Sequence, residues 1–248
     1  MTFLDLFSAQ SAQYAAARPP YPPALFDYIA SISPAVERAW DCGAGNGQAA
    51  VWLAQRFQTV YATDPSRAQV ENAMRHPAVH YSVQVAEAAA FPAACFDAVC
   101  VAQALHWFDL PVFFDEARRV MKPGAVFAAW GYSGYSITPE FDREFQRLVL
   151  DVIAGDWAPQ IQILWHGYQD IELPFERLQP PEFEILVTWT LEQLLAYVQT
   201  WSAVRRCMDR IGPGFMQQAA IELATAWGTP GSAREIHKPL RLLAGINR

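Results

Sequence analysis

Short apolar segments alternate with amphipathic segments along the first half of the chain. Five runs have the length and composition of strands: residues 36–42, 59–63, 79–85, 98–103 and 125–130. Between them, three segments show the i, i+3, i+4 spacing of helices: residues 49–57, 66–75 and 111–121. Strands that alternate with helices form a parallel sheet covered on both faces. The pattern therefore predicts an α/β fold with a doubly wound sheet.

This alternation ends after Tyr132. Residues 141–153 and 191–204 have helical periodicity and flank a proline-rich stretch at 174–181. Two strand candidates and a helix complete the chain, at residues 183–189, 236–243 and 215–227. We predict that the helices of this C-terminal third form a lid inserted before the last strands of the sheet.

Prolines shape the beginning of the chain. The segment Arg18-Pro19-Pro20-Tyr21-Pro22-Pro23 is stiff and extended, because each proline fixes its own φ and disfavours helix in the residue before it. A helix is expected to begin directly afterwards, near Ala24.

Composition and charge narrow the class of protein. A chain of 248 residues with 52% hydrophobic and 17% charged residues fits one elaborated globular domain. The net charge of −7 argues against a nucleic-acid partner. No apolar run reaches the roughly 18 residues that span a bilayer, and no basic segment precedes the first apolar residues. We therefore predict a cytoplasmic protein without a membrane partner.

Metal and disulfide chemistry are not predicted. The four cysteines show no C-x-x-C spacing, and three of them lie in apolar surroundings. His76 and His80 have i, i+4 spacing, but Pro77 lies between them and a strand follows.

A glycine-rich loop at residues 41–48 follows the first strand and opens a helix. Glycines in this position permit a tight turn and let a ligand approach the backbone closely. Dinucleotide-binding loops need a third glycine in the spacing G-x-G-x-x-G, and Gln48 takes that place here. No Lys-Ser/Thr pair for a phosphate-binding P-loop is present either. The loop predicts a nucleotide-type ligand other than NAD or ATP.

The spacing Asp41-x-Gly43-x-Gly45-x-Gly47 resembles the first motif of class I S-adenosylmethionine-dependent methyltransferases. The chain as a whole resembles the methyltransferase domain family typified by trans-aconitate methyltransferases. Further residues support the resemblance: Tyr14, Arg18-Pro19-x-Tyr21-Pro22, Asp64-Pro65-Ser66, Ala86-Glu87, Ala102-Gln103-Ala104-x-His106-Trp107-Phe108, Lys122-Pro123-Gly124 and Thr200-x-Ser202-Ala203. The resemblance implies a Rossmann-like, seven-stranded sheet that binds S-adenosylmethionine and releases S-adenosylhomocysteine.

The resemblance also implies three regions. Residues 1–35 are expected to form a helical segment that covers the cofactor. Residues 36–132 are expected to form the cofactor-binding α/β core. Residues 133–248 are expected to supply the lid helices and the final strands.

Eleven residues are predicted to bind the cofactor. Asp64 ends the second strand, where a carboxylate can accept both hydrogen bonds of a ribose diol. Arg18 is expected to pair with the methionine carboxylate, and Gln103 ends a strand at the edge where open α/β sheets bind ligands. The full set is Tyr14, Arg18, Asp41, Gly43, Ala44, Gly45, Gly47, Asp64, Ala86, Glu87 and Gln103.

His106 is the candidate catalytic residue, as a general base or as a hydrogen-bond partner of the acceptor, because its unperturbed pKa is near neutral. Aromatic residues near the ends of the strands are expected to surround the methyl group. An acidic acceptor would require a cation, for which Arg205 or Arg206 is the candidate. The predicted acceptor-binding residues are Trp107, Trp130, Tyr132, Trp201, Ser202 and Arg205.

The predicted function is methyl transfer to a small molecule, with carboxyl O-methylation preferred. Methylation of a phenolic or natural-product acceptor on oxygen or nitrogen is the first alternative, and a requirement for His106 would favour it. A non-catalytic protein that binds S-adenosylmethionine or S-adenosylhomocysteine is the second. The protein is expected to be a monomer or a homodimer.

Overall fold

The computed structural model describes residues 19–248 and contains a mixed sheet of eight strands in that range. The strands are β1 (Arg38–Cys42), β2 (Thr59–Asp64), β3 (Val79–Val83), β4 (Phe96–Ala102), β5 (Met121–Gly131), β6 (Glu176–Arg177), β7 (Phe183–Thr190) and β8 (Ala233–Ile246). The α-helices are α1 (Pro23–Ile32), α2 (Gln48–Leu53), α3 (Arg67–Glu71), α4 (Leu110–Val120), α5 (Pro139–Phe145), α6 (Ile161–Trp165), α7 (Leu191–Gln199), α8 (Ser202–Ile211) and α9 (Gly214–Trp227). The predicted α/β class is confirmed.

The strand order is β3-β2-β1-β4-β5-β8-β6. Strands β1 to β5 are parallel, and β8 runs antiparallel to β5. From β1 the chain proceeds to β2 and β3 on one side and later returns to β4 and β5 on the other. Ligands of doubly wound sheets bind beyond the carboxyl ends of the strands at such a reversal. The topology therefore places the expected site beyond β1 and β4.

Buried side chains cover both faces of the sheet. Successive residues of a strand point to opposite faces, and in β1 Ala39 belongs to one buried cluster while Trp40 and Cys42 belong to the other. Strand β4 is buried along nearly its whole length. Burial on both faces explains why β4 is mostly apolar rather than alternating between apolar and polar residues.

The sheet has one strand more than predicted in the described range. β8 is 14 residues long, and its residues 241–246 pair with β5 while its residues 233–240 pair with β7. The two-residue strand β6 lies within the proline-rich stretch and pairs with the end of β8. A pairing this short leaves no periodicity in the sequence, so the pattern could not predict it.

We call the helices α5 to α9, which lie between residues 139 and 227, the lid. The continuous helix predicted over residues 191–204 is wrong, because α7 ends at Gln199 and α8 begins at Ser202. Trp201 between them has extended backbone angles. Its ring packs against those of Trp157 and Tyr197, with centroid distances of 5.8 and 5.7 Å. Packing of this large, partly buried ring against its neighbours offsets the lost helical hydrogen bonds.

The other lid segments differ less from prediction. The helix expected over residues 141–153 starts as α5 and continues as a π-helical stretch at Gln146–Leu150. Helix α6 was not predicted. Within residues 19–248, the helices are all too short or too polar to cross a membrane.

Candidate functional site

A cavity of about 1340 Å³ lies at the carboxyl ends of β1, β2 and β4 and extends beneath the lid. Residues from the glycine loop, the ends of the parallel strands and the lid line it together. The predicted site residues among its lining are Gly43, Ala44, Gly45, Asp64, Ala86, Glu87, Gln103, His106, Trp107, Tyr132, Trp201 and Ser202. Tyr14 and Arg18 lie outside the residues that the structure describes.

The glycine loop needs its three glycines for different reasons. All three have a positive φ, a backbone conformation that residues other than glycine adopt only at a cost in free energy. A Cβ on Gly43 would lie 2.7 Å from the Cβ of Ala104, and one on Gly47 would collide with the hydroxyl of Tyr81. A Cβ on Gly45 would meet no atom within 4 Å. Gly43 and Gly47 therefore permit internal packing, whereas Gly45 borders open space in the cavity.

Asp64 ties the glycine loop to the end of β2. Its Oδ2 accepts a hydrogen bond of 2.8 Å from the N–H of Gly45, and its Oδ1 accepts one of 2.8 Å from the N–H of Ser66. The Ala44 N–H donates to the carbonyl of Thr63, also in β2. Each carboxylate oxygen has two acceptor positions, so the carboxylate can accept further hydrogen bonds from a ligand in the cavity.

Asp41 lies beneath the loop rather than in it. Its side chain is fully buried and does not line the cavity. Burial, together with the nearby charge of Asp64, raises the pKa of Asp41 to about 7, although the Ala50 backbone N–H acts in the opposite direction. Gly47 is likewise absent from the lining.

Glu87 and Gln103 hold neighbouring parts of the cavity wall. The Glu87 carboxylate accepts a hydrogen bond from the N–H of Asp109, directly before α4. Gln103 has a φ of 57°, its N–H donates to the carbonyl of Trp130, and its side-chain amide donates to the carbonyl of Tyr132. A non-glycine residue in this backbone conformation at a cavity edge is typical of a functional site.

His106 and Trp107 enter the cavity from a 3₁₀ turn directly after β4. Only 4% of His106 is exposed, and its ring lies 4.9 Å from that of Trp107. Trp130, which is predicted to bind the acceptor, lies in the core, where its ring is fully buried between Tyr21 and Phe26, each at a centroid distance of 5.8 Å. A strand residue next to the cavity faces the core whenever its side chain points to the covered face.

Arg205, which is predicted as the acceptor-binding cation, and its neighbour Arg206 differ in their position relative to the cavity. Arg205 lies outside the cavity lining and donates to the carbonyl of Thr200. Its neighbour Arg206 lines the cavity, and the Nε of Arg206 donates to the carbonyl of Asp156 at 2.6 Å. Adjacent residues of a helix point about 100° apart, and the break before α8 sets which arginine faces inward.

Lys238 was missed. It lies in β8, lines the cavity and is only 1% exposed. A signal for it was available: Ile236, Lys238 and Leu240 alternate along a strand, and the two apolar members are buried. Alternation at period two places the lysine on the same inward face.

Comparisons with known proteins show which family has this fold and glycine loop. Residues 40–129 match the methyltransferase domain family. A Dictyostelium discoideum protein that carries a methyltransferase name is 32% identical over 204 residues, which cover 81% of this chain and 78% of that protein. A Mycobacterium tuberculosis protein named as an uncharacterized methyltransferase is 33% identical over 121 residues, about half of each chain.

Solved structures give the same result. A structure from Anaeromyxobacter dehalogenans, described as that of a type II methyltransferase, has a TM-score of 0.87 and 42% identity and covers 93% of this chain and 98% of its own. A methyltransferase structure from Anabaena variabilis, with a TM-score of 0.57 and 20% identity over 89% of this chain and 98% of its own, shares the fold.

The chain belongs to the class I S-adenosylmethionine-dependent methyltransferases. It is therefore an enzyme whose cofactor is S-adenosylmethionine.

Proposed function

We propose that this enzyme methylates a small-molecule acceptor held under the lid, and that the reaction is carboxyl O-methylation. One observation carries the proposal: a single cavity joins the glycine loop to the aromatic lid residues Trp157 and Trp201. S-adenosylmethionine and the methyl acceptor can therefore bind in the same cavity. The apolar lining supports an acceptor with an apolar or aromatic body.

The cofactor fits the glycine-loop half of the cavity. The open space at Gly45 lets a ligand approach the backbone, and Asp64 offers carboxylate oxygens suited to a ribose diol. We assign Ala86 and Glu87 to the adenine side and Gln103 to the methionine side, by position along the cavity edge. S-adenosylmethionine supplies a methyl group on a sulfonium, which is already a good leaving group.

Asp64→Ala is expected to weaken binding of S-adenosylhomocysteine by about 100-fold. The change removes the ribose partner and also releases the N–H groups of Gly45 and Ser66 that shape the loop. Calorimetric titration measures the effect. Asp27→Ala is the control, since Asp27 is an exposed carboxylate paired with Arg56 away from the cavity. Equal affinity in Asp64→Ala and wild type would contradict the assignment of Asp64.

Carboxyl methylation requires little of the protein beyond positioning. A carboxylate is ionised at pH 7 and attacks without a general base. The enzyme then needs only to align the acceptor and exclude water, and the aromatic side chains that pack around Trp201 in the lid suit that role.

A second candidate, methylation of a phenol, is favoured by one observation. His106 is nearly buried at the cavity wall, where it could remove a phenolic proton. This reaction needs a base, so the two candidates differ in how much activity depends on His106.

The test is transfer of a labelled methyl group to a panel of carboxylic acids and phenols, repeated with His106→Asn. Carboxyl methylation predicts ester products and a loss of kcat below about tenfold in the variant. Phenol methylation predicts ether products and a loss of about 10²–10⁴-fold. Trp107→Phe, which alters the neighbouring ring but removes no base, is the matched control.

We also propose that the enzyme acts in the cytoplasm on small molecules rather than on nucleic acid, as a monomer or homodimer. The acidic net charge of −7 supports the absence of a nucleic-acid partner. Light scattering after gel filtration determines the oligomeric state.

A further inference from the structure

A tyrosine with a buried hydroxyl lies behind the wall of the cavity. Tyr168 follows helix α6, is fully buried and belongs to the same buried cluster as Trp40. Its hydroxyl has no hydrogen-bond partner among residues 19–248. Burial also raises the pKa of Tyr168, so the hydroxyl keeps its proton and remains a donor. Buried polar groups in native structures are nearly always hydrogen-bonded, so this exception requires an explanation.

The backbone of Tyr168 is in an unfavourable conformation as well. Its φ is 62°, in the left-handed region that a bulky residue adopts only at a cost, and Gly167 before it has the same φ. The N–H of Tyr168 donates a hydrogen bond of 3.1 Å to the carbonyl of Ile163, which closes the turn after α6. A phenylalanine would fill the same space without a buried, unpaired hydroxyl. Packing alone therefore does not account for a tyrosine at this position.

The Tyr168 hydroxyl borders the same small space as the side chain of Gln103. A Cβ on Gly131, the last residue of β5, would lie 2.9 Å from the Tyr168 hydroxyl and 2.9 Å from the Oε1 of Gln103. It would also collide with the Cδ1 of Leu164. Gly131 does not have a positive φ, so this position requires a missing side chain rather than an unusual backbone. The glycine lets both oxygens approach the end of β5 from different parts of the chain.

One of the two polar atoms of the Gln103 side chain is hydrogen-bonded within the described residues. Its Nε2 donates to the carbonyl of Tyr132 at 3.1 Å, whereas its Oε1 accepts no hydrogen bond from residues 19–248. An oxygen at the wall of a cavity is hydrated while the cavity is open and loses that hydration when a ligand covers it. A ligand over Gln103 therefore leaves an acceptor without a partner beside a buried donor without a partner.

We propose that Tyr168 is a positioning residue of the cofactor site, whose hydroxyl donates a hydrogen bond to the Oε1 of Gln103 when the cofactor covers that side chain. The inference rests on the proposed placement of the methionine part of S-adenosylmethionine at Gln103. Tyr168 is fully buried and Gln103 only partly, so the glutamine side chain makes the adjustment. A hydrogen bond that the ligand shields from water is stronger than one open to solvent. Together with the bond to Tyr132, it fixes the amide at both ends.

This role predicts different effects of the hydroxyl on folding and on binding. In the free protein the hydroxyl is buried without a partner, so its removal does not lower the stability. In the complex its removal leaves the Oε1 of Gln103 covered and unpaired, so the ligand binds more weakly. A hydroxyl that served only to stabilise the fold would give the reverse result.

The test compares Tyr168→Phe with the wild-type protein, both as the full-length chain. Thermal unfolding without ligand is expected to give the same Tm or a higher one. Calorimetric titration is expected to show that S-adenosylhomocysteine binds about fivefold or more weakly, the size of effect that one neutral hydrogen bond produces.

Tyr135→Phe is the matched control. The Tyr135 hydroxyl is also buried without a partner among the described residues, but Tyr135 does not line the cavity. Its ring and those of Tyr132 and Tyr197 surround the ammonium of Lys238, and phenylalanine keeps the ring. The affinity for S-adenosylhomocysteine is therefore expected to stay within about twofold of wild type.

A double-mutant cycle tests whether the hydroxyl acts through Gln103. Gln103→Met removes the Oε1 and keeps the length of the side chain, so it is expected to weaken binding of S-adenosylhomocysteine by itself. Adding Tyr168→Phe to this variant is expected to weaken binding by less than about twofold more, because the acceptor of the hydrogen bond is already gone.

Three results would overturn the proposal: affinity of Tyr168→Phe within about twofold of wild type, a folding defect or a clear fall in Tm of the free variant, or losses that multiply in the double mutant. Failure of the wild-type protein to bind S-adenosylhomocysteine is a separate result. It would contradict the proposed cofactor half of the site and the role of Tyr168 together, whereas normal wild-type binding with an unaffected Tyr168→Phe contradicts the role of Tyr168 alone.

Discussion

Gly45→Leu is expected to abolish detectable binding of S-adenosylhomocysteine while the protein stays folded. A Cβ at this position meets no protein atom within 4 Å, so the side chain projects into the space assigned to the cofactor. The cost to folding is the left-handed backbone, about 1–2 kcal/mol for a residue other than glycine. Calorimetric titration gives the affinity and thermal unfolding gives the stability.

Gly124→Leu is the matched control for this change. Gly124 also has a positive φ and open surroundings, but it lies at the start of β5, at the other end of the sheet and away from the cavity. Both variants should lose similar stability, and only Gly45→Leu should lose the ligand. Retained binding in Gly45→Leu would refute the placement of the cofactor against the loop.

Asp41→Asn is expected to stabilise the protein at pH 8 and to have less effect near pH 4. The pKa of Asp41 is about 7 in the folded protein, against about 3.9 in an unfolded chain. Between these pH values the unfolded chain releases a proton that the folded protein keeps, so the free energy of unfolding falls as the pH rises. A difference of about 3 pH units corresponds to about 4 kcal/mol above pH 7. Asparagine cannot ionise and avoids this loss.

The measurement is Tm at pH 4, 6 and 8 for wild type and variant. The gain in Tm should increase with pH and reach several degrees at pH 8. A gain that is independent of pH would contradict the ionisation of Asp41.

Asp97→Asn is the contrasting control for Asp41→Asn. Asp97 is equally buried, but it accepts hydrogen bonds from the N–H groups of Glu37 and Arg38 and pairs with Lys122 at 2.7 Å. Its substitution leaves the lysine without its buried carboxylate, so the protein should become less stable. Opposite signs for two buried aspartates would show that their surroundings, rather than burial alone, decide the effect.

The basic residues of the cavity wall, Arg206 and Lys238, illustrate how far local patterns extend. Sequence spacing placed Arg205 and Arg206 on a lid helix, and only the break at Trp201 determines which of them faces the cavity. Lys238 lies far from both in sequence, and it joins the site because β8 pairs with β5 and β7 at once. Strand alternation placed it on an inward face, but which tyrosines surround it depends on contacts between distant segments.

The sequence by itself determined the α/β class, the glycine loop, Asp64 at the end of β2 and the resemblance to methyltransferases. These features depend on residues close together in the chain, where periodicity and backbone preference act directly. The tertiary structure decided the eighth strand, the division between α7 and α8, the core position of Trp130 and the cavity position of Lys238. Those features depend on which distant segments pack together, and a large ring or a buried charge is stabilised only by the neighbours that packing supplies.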